Sequence, residues 1–189
     1  MLRRMMMAGA GSVPPSGNVD TFDADSLAEY VQYADTPVSY SISGGALTAV
    51  GAVARQSVLT RTSAGSFVDG EVSCVLRQAD DAGLALRLAD KNNYLLAAVY
   101  DSGSSTGSSN RVVLYRRNGG AFTQVAAASI SLPRGTPRNF SFRMSGTSAT
   151  VKLDDVTVLT ATVTTNTAAG LCGMRANDGT QIFESFGWP

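Results

Sequence analysis

From Val19 to its end the chain is built of short runs in which apolar and polar residues alternate. They include "QSVLTRT", "GEVSCVLRQ", "AGLALRLAD", "NYLLAAVY", "NRVVLYRR", "FTQVAAAS", "PRNFSFRMS", "VTVLTATV", "GLCGMRA" and "QIFESFGW". A period of two places successive side chains on opposite faces of a strand, so each run has one core face and one wet face. Clusters of Gly, Ser, Asn and Asp interrupt the runs at the roughly 8 to 12 residue spacing of an all-β sandwich. About a dozen such runs are too many for one flat sheet and call for two. Helix is expected only as one turn near "DADSLAEY".

Residues 1–18 break this pattern. Gly, Ser and Pro replace the hydrophobic period, which is the composition of an extended arm ahead of a domain over residues 19–189. Arg3 and Arg4 precede the Met5, Met6, Met7 cluster. Flexible methionines adapt to irregular apolar grooves and arginines pair with acidic rims, so these five residues are candidates for anchoring the arm on another protein or another copy of the chain. The mildly apolar stretch after Arg4 is interrupted by Gly9 and Gly11 and is too short for a signal peptide.

Composition narrows the function classes. Lys+Arg and Asp+Glu both number 15, so the formal charge is zero and nucleic acid is not an expected partner. No run approaches the roughly 20 apolar residues of a membrane helix, so no membrane partner is expected either. Histidine is absent, which removes the usual general base and the commonest transition-metal ligand. Catalysis would have to run on carboxylates, and no cofactor, metal site or catalytic residue is expected. Cys74 and Cys172 lie in apolar runs; their number permits one bridge, and two buried free thiols are the expected state.

Strand alternation assigns faces. Val72, Cys74 and Leu76 point inward, as do Phe140, Phe142 and Met144. Leu84, Leu86 and Leu88 inward leave Ala85, Arg87 and Ala89 outward; Leu95, Ala97 and Val99 inward leave Tyr94, Leu96, Ala98 and Tyr100 outward. The same rule sends Arg111, Tyr115 and Arg117 outward opposite Val112 and Leu114, and Arg175 outward opposite Cys172 and Met174. If these strands share one sheet, Arg87, Tyr94, Tyr100, Tyr115, Arg117 and Arg175 converge on one exposed face as candidate ligand-binding residues. Tyrosine supplies an amphipathic plate and arginine a planar fork of donors. The alternative for Arg87 is a purely structural role within its own sheet.

Other polar groups read as structural. Asp154 and Asp155 lie between two β-rich runs as a hairpin turn. The low-complexity stretch "DSGSSTGSSN" reads as a long mobile loop between strands. Asn139 in "NFS" matches a glycosylation pattern but falls inside a strand. Trp188 stands beside the C-terminus, away from the tyrosines in sequence.

The order of "DTFDADSLAEY", "SGGALTA", "FVDGEVSCVLRQADDAGLALRLADKNNYLLAAVY", "KLDDVTVLTATV", "AAGLCGMRA" and "FESFGW" resembles the concanavalin A-like lectin and glucanase superfamily in its laminin-G-like form. The resemblance covers residues 19–188. It implies a two-sheet antiparallel jelly roll whose first and last strands are neighbours, in a group that includes lectins, carbohydrate-binding modules, glycan hydrolases and adhesion domains. Jelly-roll glucanases carry clustered acids of the form Glu-x-Asp-x-x-Glu, and this chain has no such cluster. Asp20, Asp23 and Asp25 come closest and read as a solvated acidic edge, with weak calcium binding near Asp23 and Asp25 left open.

Combined with the arm, the resemblance leads to the expectation of a non-enzymatic virion protein of a bacteriophage tail, fibre or capsid surface. Its expected partners are other virion proteins or copies of itself and, through the Arg and Tyr face, a host-surface glycan. The alternatives are a free, secreted carbohydrate-binding module and, further off, a glycoside hydrolase or lyase.

Overall fold

The alternating runs become strands almost one for one in a computed structural model of the chain, which describes residues 17–51, 56–106 and 108–189. In chain order the strands are β1 (Asn18–Asp20), β2 (Tyr30–Ala34), β3 (Ser39–Ile42), β4 (Leu47–Gly51) and β5 (Ser57–Arg61). They continue as β6 (Gly70–Ala79), β7 (Ala82–Asp90), β8 (Asn93–Tyr100), β9 (Arg111–Asn118) and β10 (Ala121–Ser129). The last five are β11 (Arg138–Ser145), β12 (Ser148–Leu153), β13 (Val156–Thr162), β14 (Leu171–Ala176) and β15 (Gly179–Trp188). Helix among the described residues is confined to 3-10 turns at Leu27–Glu29 and Thr62–Ala64, the first of them in the stretch expected to make one turn.

Two antiparallel sheets make a jelly-roll sandwich. One has the order β13-β12-β11-β6-β15-β4-β3, with β1 also on β15, and the other β10-β9-β8-β7-β14-β5-β2. Val19 pairs with Gly187, so the first and last strands are neighbours as expected. The inward residues of both sheets meet in one core that includes Val72, Cys74, Leu76, Leu84, Leu86, Leu95, Phe140, Phe142, Cys172, Met174 and Phe183. Burying a side chain of this kind contributes about 1.5 to 3 kcal/mol, and these facing rows hold the two layers together. Cys74 and Cys172 are buried and unpaired, and burial alone pushes the Cys74 thiol well up.

Several expectations change. "YVQYA" forms β2, an edge strand on β5 that was not anticipated because Tyr30, Gln32 and Tyr33 blur its alternation. The loop over residues 101–110 was expected to be mobile, but its first described residues are tied down. The Ser102 amide donates to the Leu132 carbonyl at 2.9 Å, and the Gly103 amide donates to Asp101 Oδ1 at 2.8 Å. Asp20 is not a solvated edge. It is buried at 9 % exposure and accepts hydrogen bonds from Ser26 Oγ at 2.6 Å, the Phe22 amide at 2.9 Å and the Tyr30 hydroxyl at 3.0 Å. Asp154 and Asp155 do form the β12–β13 turn, both with positive φ, at 49° and 64°. Residues 1–16, with Arg3, Arg4, Met5, Met6 and Met7, lie outside the described residues.

Candidate functional site

The outer face of the β10-β2 sheet carries a second apolar layer. Val58, Ala85, Leu88, Tyr94, Leu96, Ala98, Tyr100 and Val113 pack there, joined by the half-buried Tyr115 and Phe122. Strand register explains the grouping. Arg175 pairs with Gly83, Gly83 with Ala98 and Ala98 with Val113, so one row across four strands is small everywhere except at its arginine. The next row sets Ala85 beside Leu96 and Leu96 beside Tyr115. A Cβ on Gly83 would stand 2.8 Å from Leu96 Cδ1 and 2.6 Å from the Ala97 carbonyl oxygen, so this strand crossing needs glycine.

Over the small row lies a pocket of about 170 Å³ lined by Gln56, Leu96, Tyr100, Tyr115, Phe122 and Arg175. Its wall is a set of edge-on rings: Phe122 meets Tyr115 at 5.8 Å and Tyr94 at 6.0 Å between centroids, both near perpendicular. Arg117 braces that wall. Its guanidinium donates to the Lys91 carbonyl at 2.6 Å, the Gly120 carbonyl at 3.1 Å and Asp35 Oδ2 at 2.7 Å. Hydrogen bonds from Arg117 and Lys91 hold the Asp35 carboxyl below the usual carboxylate range.

Arg175 is buried at 4 % exposure and is neutralised by an ion pair with Asp81, whose other oxygen accepts from Asn177 Nδ2 at 2.7 Å. Burial, reinforced by the negative charge of Asp81, pushes the Tyr100 hydroxyl up and keeps it protonated. Two buried atoms of lining residues have no partner: the Arg175 Nε donor and the Gln56 Oε1 acceptor. Buried polar groups are nearly always satisfied, so an orphan donor and an orphan acceptor beside one pocket leave two hydrogen bonds there for a polar group to complete.

Tyr94, Tyr100, Tyr115, Arg117 and Arg175 therefore do share one sheet face, as alternation implied. They do not stand open on it: Tyr94, Tyr100, Arg117 and Arg175 are between 1 % and 7 % exposed, packed against one another. Arg87 does not join them. The pairs Leu171 with Leu88 and Gly173 with Ala85 set two steps of β14 against three of β7, a bulge with Arg87 in it at φ 53°. The extra residue flips Leu88 to the outer face and turns Arg87 toward the loops. There its guanidinium donates to the carbonyls of Val68 at 2.7 Å, Gly146 at 2.6 Å and Asn166 at 3.4 Å, and to Asp69 at 3.1 Å. The structural alternative for Arg87 describes its surroundings, although its partners are loops rather than its own sheet.

Phe122, Leu96 and Gln56 belong to the pocket and were not singled out as binding residues. Phe122 had a signal, as the one ring in the otherwise small-residue run "AFTQVAAAS". Asp23 and Asp25 serve the first loop: Thr21 Oγ1 donates to Asp23 at 2.6 Å and the Leu27 amide to Asp25 at 3.3 Å. Among the described residues no group of three or more His, Cys, Asp or Glu side chains is placed to hold a metal ion.

No protein-family model matches the sequence, and no curated protein does. Solved structures share the fold. The carbohydrate-binding module CBM66 from Bacillus subtilis superposes with a TM-score of 0.67 at 17 % identity, over 82 % of this chain and 91 % of that one. A Bacillus subtilis protein of unknown function with a galectin-like fold gives 0.70 at 10 % identity, over 90 % and 93 %. The exoplasmic domain of VIP36 in its Ca2+/Man-bound form gives 0.61 at 14 % identity, over 84 % and 82 %. The architecture is thus that of the lectin-like jelly rolls.

Proposed function

We propose that this chain is a non-catalytic glycan-binding module whose ligand enters the outer-face pocket of the β10-β2 sheet. The observation that carries the reading is the pairing of an orphan donor, Arg175 Nε, with an orphan acceptor, Gln56 Oε1, beside Tyr100, Tyr115 and Phe122. A sugar ring presents an apolar face for aromatic side chains and hydroxyls that both donate and accept, which is the complement of that lining. The carbohydrate-binding module and the VIP36 domain with the same fold support the reading through what their own descriptions name. No carboxylate lines the pocket, whereas glycoside hydrolysis uses a pair of them, and this favours binding over cleavage.

A glycan array followed by titration calorimetry tests the reading. Phe122→Ala and Gln56→Leu, both at the rim rather than in the inter-sheet core, are each expected to weaken the best ligand about tenfold, the loss of roughly one hydrogen bond or stacking contact. Unchanged affinity in both variants would move the binding site elsewhere.

The biological setting is a separate proposal. A bacteriophage virion anchored through residues 1–18 and a free, secreted module use the same pocket and differ in the arm, so truncation of the arm separates them.

A further inference from the structure

Arg116 occupies an unusual register. Val112 and Leu114 of β9 face the inter-sheet core, and Arg116 continues their alternation on that inner side. Its neighbours across the ladder are Leu95 on β8 and Thr123 on β10. Here the sandwich opens, between β10 and the stretch that follows β13. The opening is a slot of about 210 Å³ whose lining includes Arg116, Thr123, Gln124, Thr162, Thr164 and Thr165. Val163, buried at 3 % exposure, also contributes to the lining.

The charge balance of this slot differs from that of the outer-face pocket. Arg175 is neutralised by Asp81 and Arg117 by Asp35, but Arg116 has no carboxylate partner among the described residues. No Asp or Glu lines the slot, and the Thr165 Oγ1 hydroxyl is buried with no partner. A guanidinium without a carboxylate, set amid threonine hydroxyls, matches a polyhydroxylated ligand that carries one carboxylate, because a planar fork of donors pairs two-to-two with a carboxylate.

We propose that the slot between β10 and residues 162–165 is a second binding site, selective for a hexuronate residue. Arg116 takes the carboxylate, and the threonine hydroxyls take the ring hydroxyls. The proposal goes beyond the outer-face reading and does not depend on it.

The test is an amide-shift titration of the full chain with D-galacturonate, D-glucuronate and, as the neutral control, D-galactose. At least one uronate is expected to shift slot residues and to bind at least tenfold tighter than galactose. Arg116→Gln should weaken uronate binding about tenfold or more, the usual range for a hydrogen bond to a charged group, and Arg116→Lys should recover part of it. Thr165→Val is the second variant, with the same direction expected, should Arg116→Gln lose its β-sheet circular dichroism. Glu184→Gln, on β15 and in the lining of neither pocket, should leave uronate affinity unchanged. Equal response to galactose and the uronates, no saturable shift at millimolar uronate, or full uronate affinity in folded Arg116→Gln would each overturn the proposal.

Discussion

The guanidinium of Arg117 lies 5.0 Å from the ring centroid of Phe122 and 5.8 Å from that of Tyr94. Phe122 sits on the edge strand β10, where only β9 pairs with it, so the orientation of the pocket wall rests on this stack.

Replacing Arg117 with Met keeps the volume and removes the charge. The variant loses the Asp35 ion pair, two carbonyl contacts and the cationic stacking, and is expected to be less stable by about 2 kcal/mol. Urea unfolding measures this, and a midpoint equal to that of the parent would show that the aromatic cluster orders itself without the arginine.

Arg87→Ala is expected to act on stability rather than on the outer-face pocket. It strands the carbonyls of Val68, Gly146 and Asn166, which the guanidinium now joins, at a cost of about 3 kcal/mol in total. Hydrogen exchange should show the loops around residues 66–69, 146–147 and 163–170 opening first. A variant of parental stability that has lost glycan binding would return Arg87 to the list of ligand contacts.

Acid sensitivity should trace partly to Asp20. Burial pushes its carboxyl up, but hydrogen bonds from Ser26, Phe22 and Tyr30 and the charge of Arg61 together outweigh burial and hold it below its ordinary value. A depressed carboxylate contributes stability that is present above its unfolded pKa of about 3.9 and is lost as pH falls through the folded value. The contribution of this group should therefore be full and independent of pH near neutrality and decline below about pH 4, and Asp20→Asn should lower the neutral plateau and flatten that decline. An acid limb of unchanged steepness in the variant would assign the effect to other carboxylates.

Neither thiol should react in the folded protein. Both cysteines are buried, and burial pushes the Cys172 thiol up to about 12. A thiol-specific disulfide reagent at pH 8 should label two cysteines only after denaturant is added, and reductant should leave the unfolding midpoint where it was. Rapid labelling of native protein would contradict this packing.

Deletion of residues 2–17 leaves every strand among the described residues intact, since the first of them, β1, begins at Asn18. The truncated chain is expected to fold and to keep its pocket. If the arm is a virion anchor, particles should assemble without the truncated protein; full incorporation would place the anchor on the sandwich.

The legible part of the site was the part that depends on parity. Tyr94, Leu96 and Tyr100 share a face because a strand has a period of two, and the same rule set Tyr115, Arg117 and Arg175 on their sides. Parity failed at Arg87, because one bulge residue inverts every assignment after it and nothing in "GLALRLAD" marks where the bulge falls. It also said nothing about exposure, since an outward arginine can be covered by a neighbouring ring, as Arg117 is by Phe122.

What the sequence by itself determined was the all-β class, the two layers and most of the inward residues, consequences of local alternation and turn chemistry, while the pairing of the chain's two β-rich ends was implied by the jelly-roll resemblance. What only the tertiary structure decided was which strands lie side by side, and hence which side chains meet. Gln56, Phe122 and Arg175 surround one pocket though they are far apart in the chain, and Arg116 was left without a carboxylate by the strand order that gave Asp35 to Arg117. Such juxtapositions are non-local: they depend on the register of ladders closed between distant segments, which no single run of residues encodes.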